Sequence, residues 1–231
     1  MSRGEQDQFA LVSQQRAALA IETGGFKNEI VPVSVKSRKI TITIDTDEHP
    51  RPDSNLEKMA SLRPAFKKDG TVTAANASGI NDGAAALLLA SGSAVKQYGL
   101  EPVAEIVGYG QGGVDPSMMG MGPVPAIGNA LKKADMQLSD MDLLELNEAF
   151  AAQSLGVINE LCGQYKISPE TLTGKTNVNG GAIALGHPIG ASGARILVTL
   201  THELRQRKGS YGLAALCIGG GMGAAIIIRR C

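Results

Sequence analysis

The chain has 231 residues, 43% of them hydrophobic, and balances 22 Lys plus Arg against 22 Asp plus Glu. That apolar fraction excludes a disordered chain, and zero formal charge with four Tyr, four Phe and no Trp excludes a nucleic-acid binder or an electrostatic membrane binder. The longest purely apolar run, residues 84–90, is too short to span a bilayer, and the polar Met1-Ser-Arg-Gly-Glu-Gln-Asp7 start carries no secretory h-region, so a soluble, non-secreted, intracellular protein is expected.

Ser2 followed by Glu5 is a capping-box pattern that predicts a helix over residues 3–22, with Phe9, Val12, Arg16 and Leu19 on one face and Gly24-Gly25 as its stop. Residues 30–35 and 40–44 read as strands, the second with the alternation of a half-buried one. Residues 45–70 are charged and Pro-punctuated, which predicts surface loop with at most short helix. The apolar run 84–90 suits a fully buried strand, and a short helix is expected at 93–99.

Beyond Glu101-Pro102, a plausible domain boundary, elements alternate regularly. Strands are predicted at 103–109, 142–146, 177–179, 212–218 and 224–228. Helices are predicted at 125–134, at 148–162 with Ala151, Leu155, Ile158 and Cys162 on one face, and from Pro188 to about Lys208. Ile189, Gly193, Ile196, Leu200 and Leu204 follow helical spacing in the last of these. The order β-α-β-α-β-α-β-β calls for a layered α/β domain with helices covering a sheet.

Three places in this scaffold suggest chemistry. In Asn177-Val-Asn-Gly-Gly-Ala-Ile-Ala-Leu-Gly-His187-Pro188-Ile-Gly-Ala-Ser-Gly193, Pro188 suits a first helical turn and places His187 in extended backbone outside it. The positive end of the helix disfavours imidazolium, so a neutral, proton-accepting histidine is expected; a histidine that merely caps a helix fits the same position. Cys217-Ile-Gly219-Gly-Gly-Met-Gly223 ends a strand in a glycine turn, where a thiol can be exposed and the Gly219 amide can donate to an oxyanion; a small buried core cysteine is the alternative. Asn147-Glu148-Ala149-Phe150 stands at a strand-to-helix junction, where Asn is also a common helix cap. Strand C-terminal ends gather on one rim of an alternating α/β sheet, so one site can hold Asn147, His187 and Cys217. Cys162, Cys217 and Cys231, with no C-x-x-C, read as free thiols and not as a disulfide or metal framework.

Together with Ser13-Gln-Gln-Arg, Asp47-Glu-His-Pro-Arg51-Pro, Leu62-Arg-Pro-Ala-Phe66, Thr71-Val-Thr-Ala-Ala-Asn-Ala-Ser78-Gly, Asp82-Gly-Ala-Ala and Asp115-Pro-Ser-Met-Met-Gly, these motifs resemble the thiolases across nearly the whole chain. The resemblance implies reversible carbon–carbon bond formation between acyl groups, or cleavage of a 3-ketoacyl-CoA by coenzyme A. It implies no permanently bound cofactor or metal; coenzyme A and acyl-CoA enter as substrates. By motif, His187 would deprotonate a nucleophilic cysteine and help bind a thioester oxygen, Asn147 would hold a water in that oxyanion site, Cys217 would move the proton at the substrate α-carbon, and the Gly219 amide would serve a second oxyanion hole. Arg51, Ser54 and Ser78 resemble coenzyme A contacts, and Met119 and Phe150 resemble apolar residues of the pantetheine and acyl channel.

Thiolases have two similar βαβαβαββ halves with a loop excursion in the first, and their nucleophilic cysteine belongs to the first half. The resemblance therefore implies part of a loop domain at 1–70, the last strand and helix of the first half at 71–99 and a complete second half at 100–231, without the nucleophile. An isolated chain of this kind is expected to be inactive and to expose unpaired edges unless another chain fills the gap. A non-catalytic coenzyme A- or partner-binding remnant, and one subunit of a split thiolase, are the alternatives. Family members form dimers or tetramers and work in bacterial cytoplasm or the mitochondrial matrix; acyl length is undetermined.

Overall fold

The computed structural model describes residues 1–231. Ser2 and Glu5 close the capping box at the head of α1 (Arg3–Glu22), each side chain accepting from the other's backbone N–H. The buried face of α1 is not the apolar one that the sequence suggests. Gln6, Asp7, Ala10, Ser13, Gln14, Ala17 and Ala20 face inward, whereas Leu19 is exposed and Phe9, Val12 and Arg16 are half-buried. The polar face wins because its groups find partners: Asp7 accepts from Asn76 Nδ2 at 2.8 Å, and Gln14 accepts from the Arg51 N–H at 2.8 Å.

After α1, β1 (Val33–Lys36) and β2 (Thr41–Ile44) form an antiparallel hairpin, exposed along both strands; the expected half-burial does not occur. The stretch from 45 to 70 contains only the short α2 (Leu56–Ala60), as its composition suggests. Residues 84–90 form no strand and pair with none, and Leu88 is 88% and Leu89 75% exposed. An apolar run becomes a buried strand only where neighbouring strands accept its hydrogen bonds, and none of the strands in these residues adjoins it. The run leads into α3 (Gly92–Tyr98), capped by the Ser91 hydroxyl and closed by Gly99 in the left-handed region.

The remainder forms three layers. Strands β3 (Ala104–Gly113), β4 (Leu143–Leu146), β5 (Tyr211–Ile218) and β6 (Met222–Arg230) make one sheet in the order β3-β6-β5-β4, with β4 parallel to β5 and the other pairs antiparallel. Leu144, Leu146, Leu213, Ala215 and Ile227 turn to one face, against α4 (Pro123–Ala134) and α5 (Ala151–Tyr165). On α5 that buried stripe is Ala151, Ser154, Val157, Ile158 and Leu161, so only part of the expected face is retained. Leu143, Ala214 and Ile228 turn to the other face, against Ile196, Leu200 and Leu204 of α8 (Ser192–Arg207). The two faces alternate along each strand, as a sheet covered on both sides requires.

Between α5 and α8 lie two short helices, α6 (Pro169–Gly174) and α7 (Ala182–Leu185), neither expected from the sequence. The strand expected at 177–179 is reduced to a single bridge between Thr176 and Leu144, because Asn177 takes φ 47° and turns the chain away. Helix α8 also begins later than expected. Pro188 instead opens a turn whose carbonyl accepts from the N–H groups of Ala191 and Ser192, and Ile189 is left 70% exposed.

Strand β3 and helix α4 pack backbone to backbone. A Cβ on Gly110 would stand 2.2 Å from the Ala126 carbonyl oxygen and 2.4 Å from the Ala130 nitrogen, so no side chain fits. Gly110→Ala is expected to force α4 away from the sheet and to lower stability by about 1–3 kcal/mol. The urea unfolding midpoint measures this; an unchanged midpoint would show that the contact is not tight.

Candidate active site

Strand β4 ends at Leu146, and its register with β5 carries Asn147 to the rim, where its N–H donates to the Ala215 carbonyl at 2.9 Å. Cys217 lies two residues further along β5, so both residues occupy the same end of the sheet. The Asn147 side chain is 1% exposed, yet neither its Oδ1 nor its Nδ2 has a partner among the protein groups. An amide with donor and acceptor both unspent in the interior is costly unless something else, such as water, uses it.

Glu148 locks this turn in place. Its buried carboxylate accepts from Ser13 Oγ at 2.7 Å, Asn177 Nδ2 at 2.9 Å and the Ile183 N–H at 3.3 Å. Burial raises its pKa, and the bonds from Ser13, Asn177 and Ile183 oppose that rise. One side chain thereby ties α1, the 177–183 loop and the end of β4 together. Gly181 fits against it so closely that a Cβ there would lie 2.3 Å from the carboxyl carbon.

His187 is held from three sides. Its N–H points to the Gly79 carbonyl at 3.2 Å and to Asn81 Oδ1 at 3.1 Å, and its Nδ1 lies 2.6 Å from Ser192 Oγ. The 77–80 segment acts as a strap: Ala77 bridges to Phe150, Ser78 donates through both N–H and hydroxyl to the Ala149 carbonyl, and Ile80 bridges to His187. It binds the Asn147 turn to the His187 loop. Burial lowers the His187 pKa, and the nearby Arg195 guanidinium adds to that, so the imidazole is neutral near pH 7. Burial also raises the Cys217 thiol, keeping its proton on. His187 is thus a neutral acceptor and Cys217 a protonated thiol.

The other residues singled out in the sequence differ in how they are engaged. Gly219 is exposed at the tip of the β5–β6 turn with nothing within 4 Å of its Cβ position. Phe150 meets Phe66 edge to face at 6.1 Å, and Met119 is half-buried in a 3-10 turn at 116–121. Arg51 is exposed and Ser54 half-buried; their segment is fixed through the Arg51 N–H on Gln14 and through His49 Nδ1, 2.8 Å from the Ala184 carbonyl oxygen. No hydrogen bond joins the side chains of Asn147, His187 and Cys217 to one another. No group of three or more His, Cys, Asp and Glu side chains is placed to hold a metal, and no helix is long and apolar enough to cross a membrane.

Comparison with known proteins shows the family. Residues 1–93 match the family model described as thiolase, N-terminal domain, and residues 100–230 match thiolase, C-terminal domain. The chain belongs to the thiolase family. It is 57% identical over 229 residues to an acetyl-CoA acetyltransferase of Syntrophomonas wolfei, covering 99% of this chain and 56% of the relative. It is 55% identical to a human mitochondrial 3-ketoacyl-CoA thiolase with the same coverages. Among solved structures, Bacillus anthracis acetyl-CoA acetyltransferase superposes with a TM-score of 0.93 at 52% identity, covering 100% of this chain and 57% of that one. Human mitochondrial 3-ketoacyl-CoA thiolase in complex with CoA superposes at 0.88 and 49%, covering 100% and 55%. The chain thus spans about half the length of the relatives it matches. Its thiolase-like α/β fold follows from those superpositions.

Several residues that shape the thiolase rim carry no sequence signal strong enough to single them out. Asn81 acts on His187 across a separation that only folding closes, whereas Ser192 and Arg195 reach it from the nearby start of α8. Glu148 stands inside a quoted motif, but its three partners come from α1 and the 177–183 loop. A cavity of about 420 Å³ lies elsewhere, between the end of α1 and the β1–β2 hairpin, lined in part by Phe26, Ile30 and Asp47. Asn147, His187 and Cys217 do not line it.

Two expectations follow. Glu148→Ala leaves the Ser13 hydroxyl, the Asn177 amide and the Ile183 N–H short of a partner and is expected to cost about 3 kcal/mol or more; a urea midpoint close to that of the native chain would remove Glu148 from its central place. The second concerns Glu29, whose Oε1 accepts from Thr199 Oγ1 at 3.0 Å. Burial raises its pKa from the ordinary 4.5 to about 7. A carboxyl raised on folding stabilises fully below its unfolded pKa, and that contribution is lost as pH rises through the folded value. Between pH 4.5 and pH 7 the urea midpoint of Glu29→Gln should therefore decline less than that of the native chain; parallel declines would contradict a neutral Glu29.

Proposed function

We propose that these 231 residues carry the acid–base half of a thiolase centre acting on coenzyme A thioesters. The observations that support this reading are Asn147 and Cys217 at one end of the sheet, the 77–80 strap that links the Asn147 turn to the His187 loop, a neutral imidazole, a protonated thiol and an unspent buried amide. His187 takes the proton of an attacking thiol and then, with a water held by Asn147, donates to the oxygen on which thioester charge develops. Cys217 exchanges the proton at the substrate α-carbon, and the Gly219 amide supports the second oxyanion. Arg51, Ser54 and Ser78 contact coenzyme A, with Arg51 toward its nucleotide end, while Met119 and Phe150 line the pantetheine and acyl channel. The reaction is thiolysis of a 3-ketoacyl-CoA or its reverse, a Claisen condensation, in bacterial cytoplasm or the mitochondrial matrix.

The acylated cysteine is not supplied by these residues. Cys162 packs from α5 against the core and Cys231 is exposed at the chain end, neither in a setting that would activate a nucleophile. The 231-residue polypeptide alone therefore does not turn over. The unpaired run at 84–90 favours an arrangement in which another polypeptide segment, bearing that cysteine, pairs along it.

Thiolysis of acetoacetyl-CoA is the test, first with the purified chain alone and then after co-expression with the portion of the Syntrophomonas wolfei relative that the alignment leaves uncovered. The chain alone should be silent and the pair active. His187→Asn or Cys217→Ala should lower the rate of the pair by about 10²- to 10⁴-fold. Turnover by the chain alone would overturn the division of labour, and an active pair indifferent to both substitutions would overturn the assignment of the rim.

A further inference from the structure

His187 can accept a proton at Nε2 only if its own proton sits on Nδ1, and that tautomer is set by what Nδ1 touches. Nδ1 touches Ser192 Oγ, 2.6 Å away. The hydroxyl also stands 3.1 Å from the Pro188 carbonyl oxygen, which can only accept. Two proton arrangements are open to this relay. In one, Nδ1–H donates to Ser192 Oγ and the hydroxyl donates onward to Pro188, so both contacts are hydrogen bonds. In the other, the hydroxyl turns to donate to Nδ1, and its contact with Pro188 pairs two acceptors. The first arrangement makes one hydrogen bond more.

The surroundings favour it again. Ser192 is buried, so a hydroxyl lone pair left without a donor has no bulk water to turn to. Its position is fixed by the backbone: it is the first residue of α8, and its own N–H donates to the same Pro188 carbonyl at 2.8 Å. That late helix start, five residues after His187, is what brings the Ser192 hydroxyl under the ring; a helix starting at Pro188 would not require that turn. The His187 backbone is pinned independently by Gly79 and Asn81, so the ring has one well-defined approach to Ser192.

The geometry points to Ser192 as the positioning residue of the site: it holds His187 in the Nδ1–H tautomer and leaves Nε2 as a bare proton acceptor toward the rim. This rests on the thiolase reading only for what Nε2 does next. The tautomer itself is a property of the 231-residue chain and is measurable without turnover.

The experiment is two-bond ¹H–¹⁵N spectroscopy of the purified chain labelled at histidine, recorded well above the His187 titration, with the His187 signals identified by their loss in His187→Asn. The native chain should show His187 protonated on Nδ1. Ser192→Ala should reduce the ratio of the Nδ1–H to the Nε2–H form by about 2- to 10-fold, the worth of one hydrogen bond, and Ser192→Thr, which keeps the hydroxyl, should restore it. An Nε2–H tautomer in the native chain would overturn the assignment outright, whether or not the alanine variant folds. A ratio unchanged in a folded Ser192→Ala chain would overturn the role of Ser192. Neither outcome bears on whether the rim belongs to a working thiolase, which the thiolysis assay decides separately.

Discussion

The buried carboxylate of Glu148 is the constraint on which the arrangement of the rim depends. It has no cation within salt-bridge distance and is held by neutral donors from α1 and the 177–183 loop. A carboxylate so deep in the molecule is tolerable only where every oxygen is used, which forces those elements into a single arrangement. Asn147, the next residue, inherits that rigidity while its own amide is left unpaired. Asn177 shows how far the constraint reaches. Its side chain serves Glu148 and both the N–H and carbonyl of Leu146, from a backbone conformation that forbids it to continue as a strand.

A second charged group lies under His187 on the other face of the sheet. Arg195 of α8 pairs with the buried Glu145 of β4 at 3.2 Å. Burial raises Glu145 to about 8 and is the larger effect, while Arg195 draws it back. The guanidinium also helps keep His187 neutral. The strand that delivers Asn147 and the helix that opens beside His187 are thus joined by one hydrogen bond, donated by Arg195 to Glu145, and the same cation tunes the imidazole.

The polar interior of α1 follows from the same economy of hydrogen bonds. Ordinary amphipathic reading places Phe9, Val12 and Leu19 inward, but Leu19 is exposed and the buried side carries Asp7, Ser13 and Gln14. Each of these three reaches a partner far along the chain: Asn76, Glu148, and the Arg51 and Ile183 backbone respectively. Helix α1 is therefore less a cover for apolar surface than a brace between the segment around Asn76 and the Glu148 turn. The run at 84–90 shows the opposite case, apolar residues without a neighbouring strand and consequently exposed.

What the sequence determined by itself is local or carried in contiguous motifs. The Ser2–Glu5 capping box, the strands β5 and β6, the apolar spacing of Ile196, Leu200 and Leu204, and the motifs around Asn147, His187 and Cys217 can all be read from neighbours a few residues apart. Tertiary structure decided everything that depends on partners far along the chain. It chose the polar face of α1, withheld a strand at 84–90 and at 177–179, moved the start of α8 to Ser192, and set Ser192 and Arg195 on His187. The physical reason is common to all of these. Burial and hydrogen-bond satisfaction are properties of the assembled neighbourhood, and periodicity along the chain reports a side chain's direction but not what waits for it there.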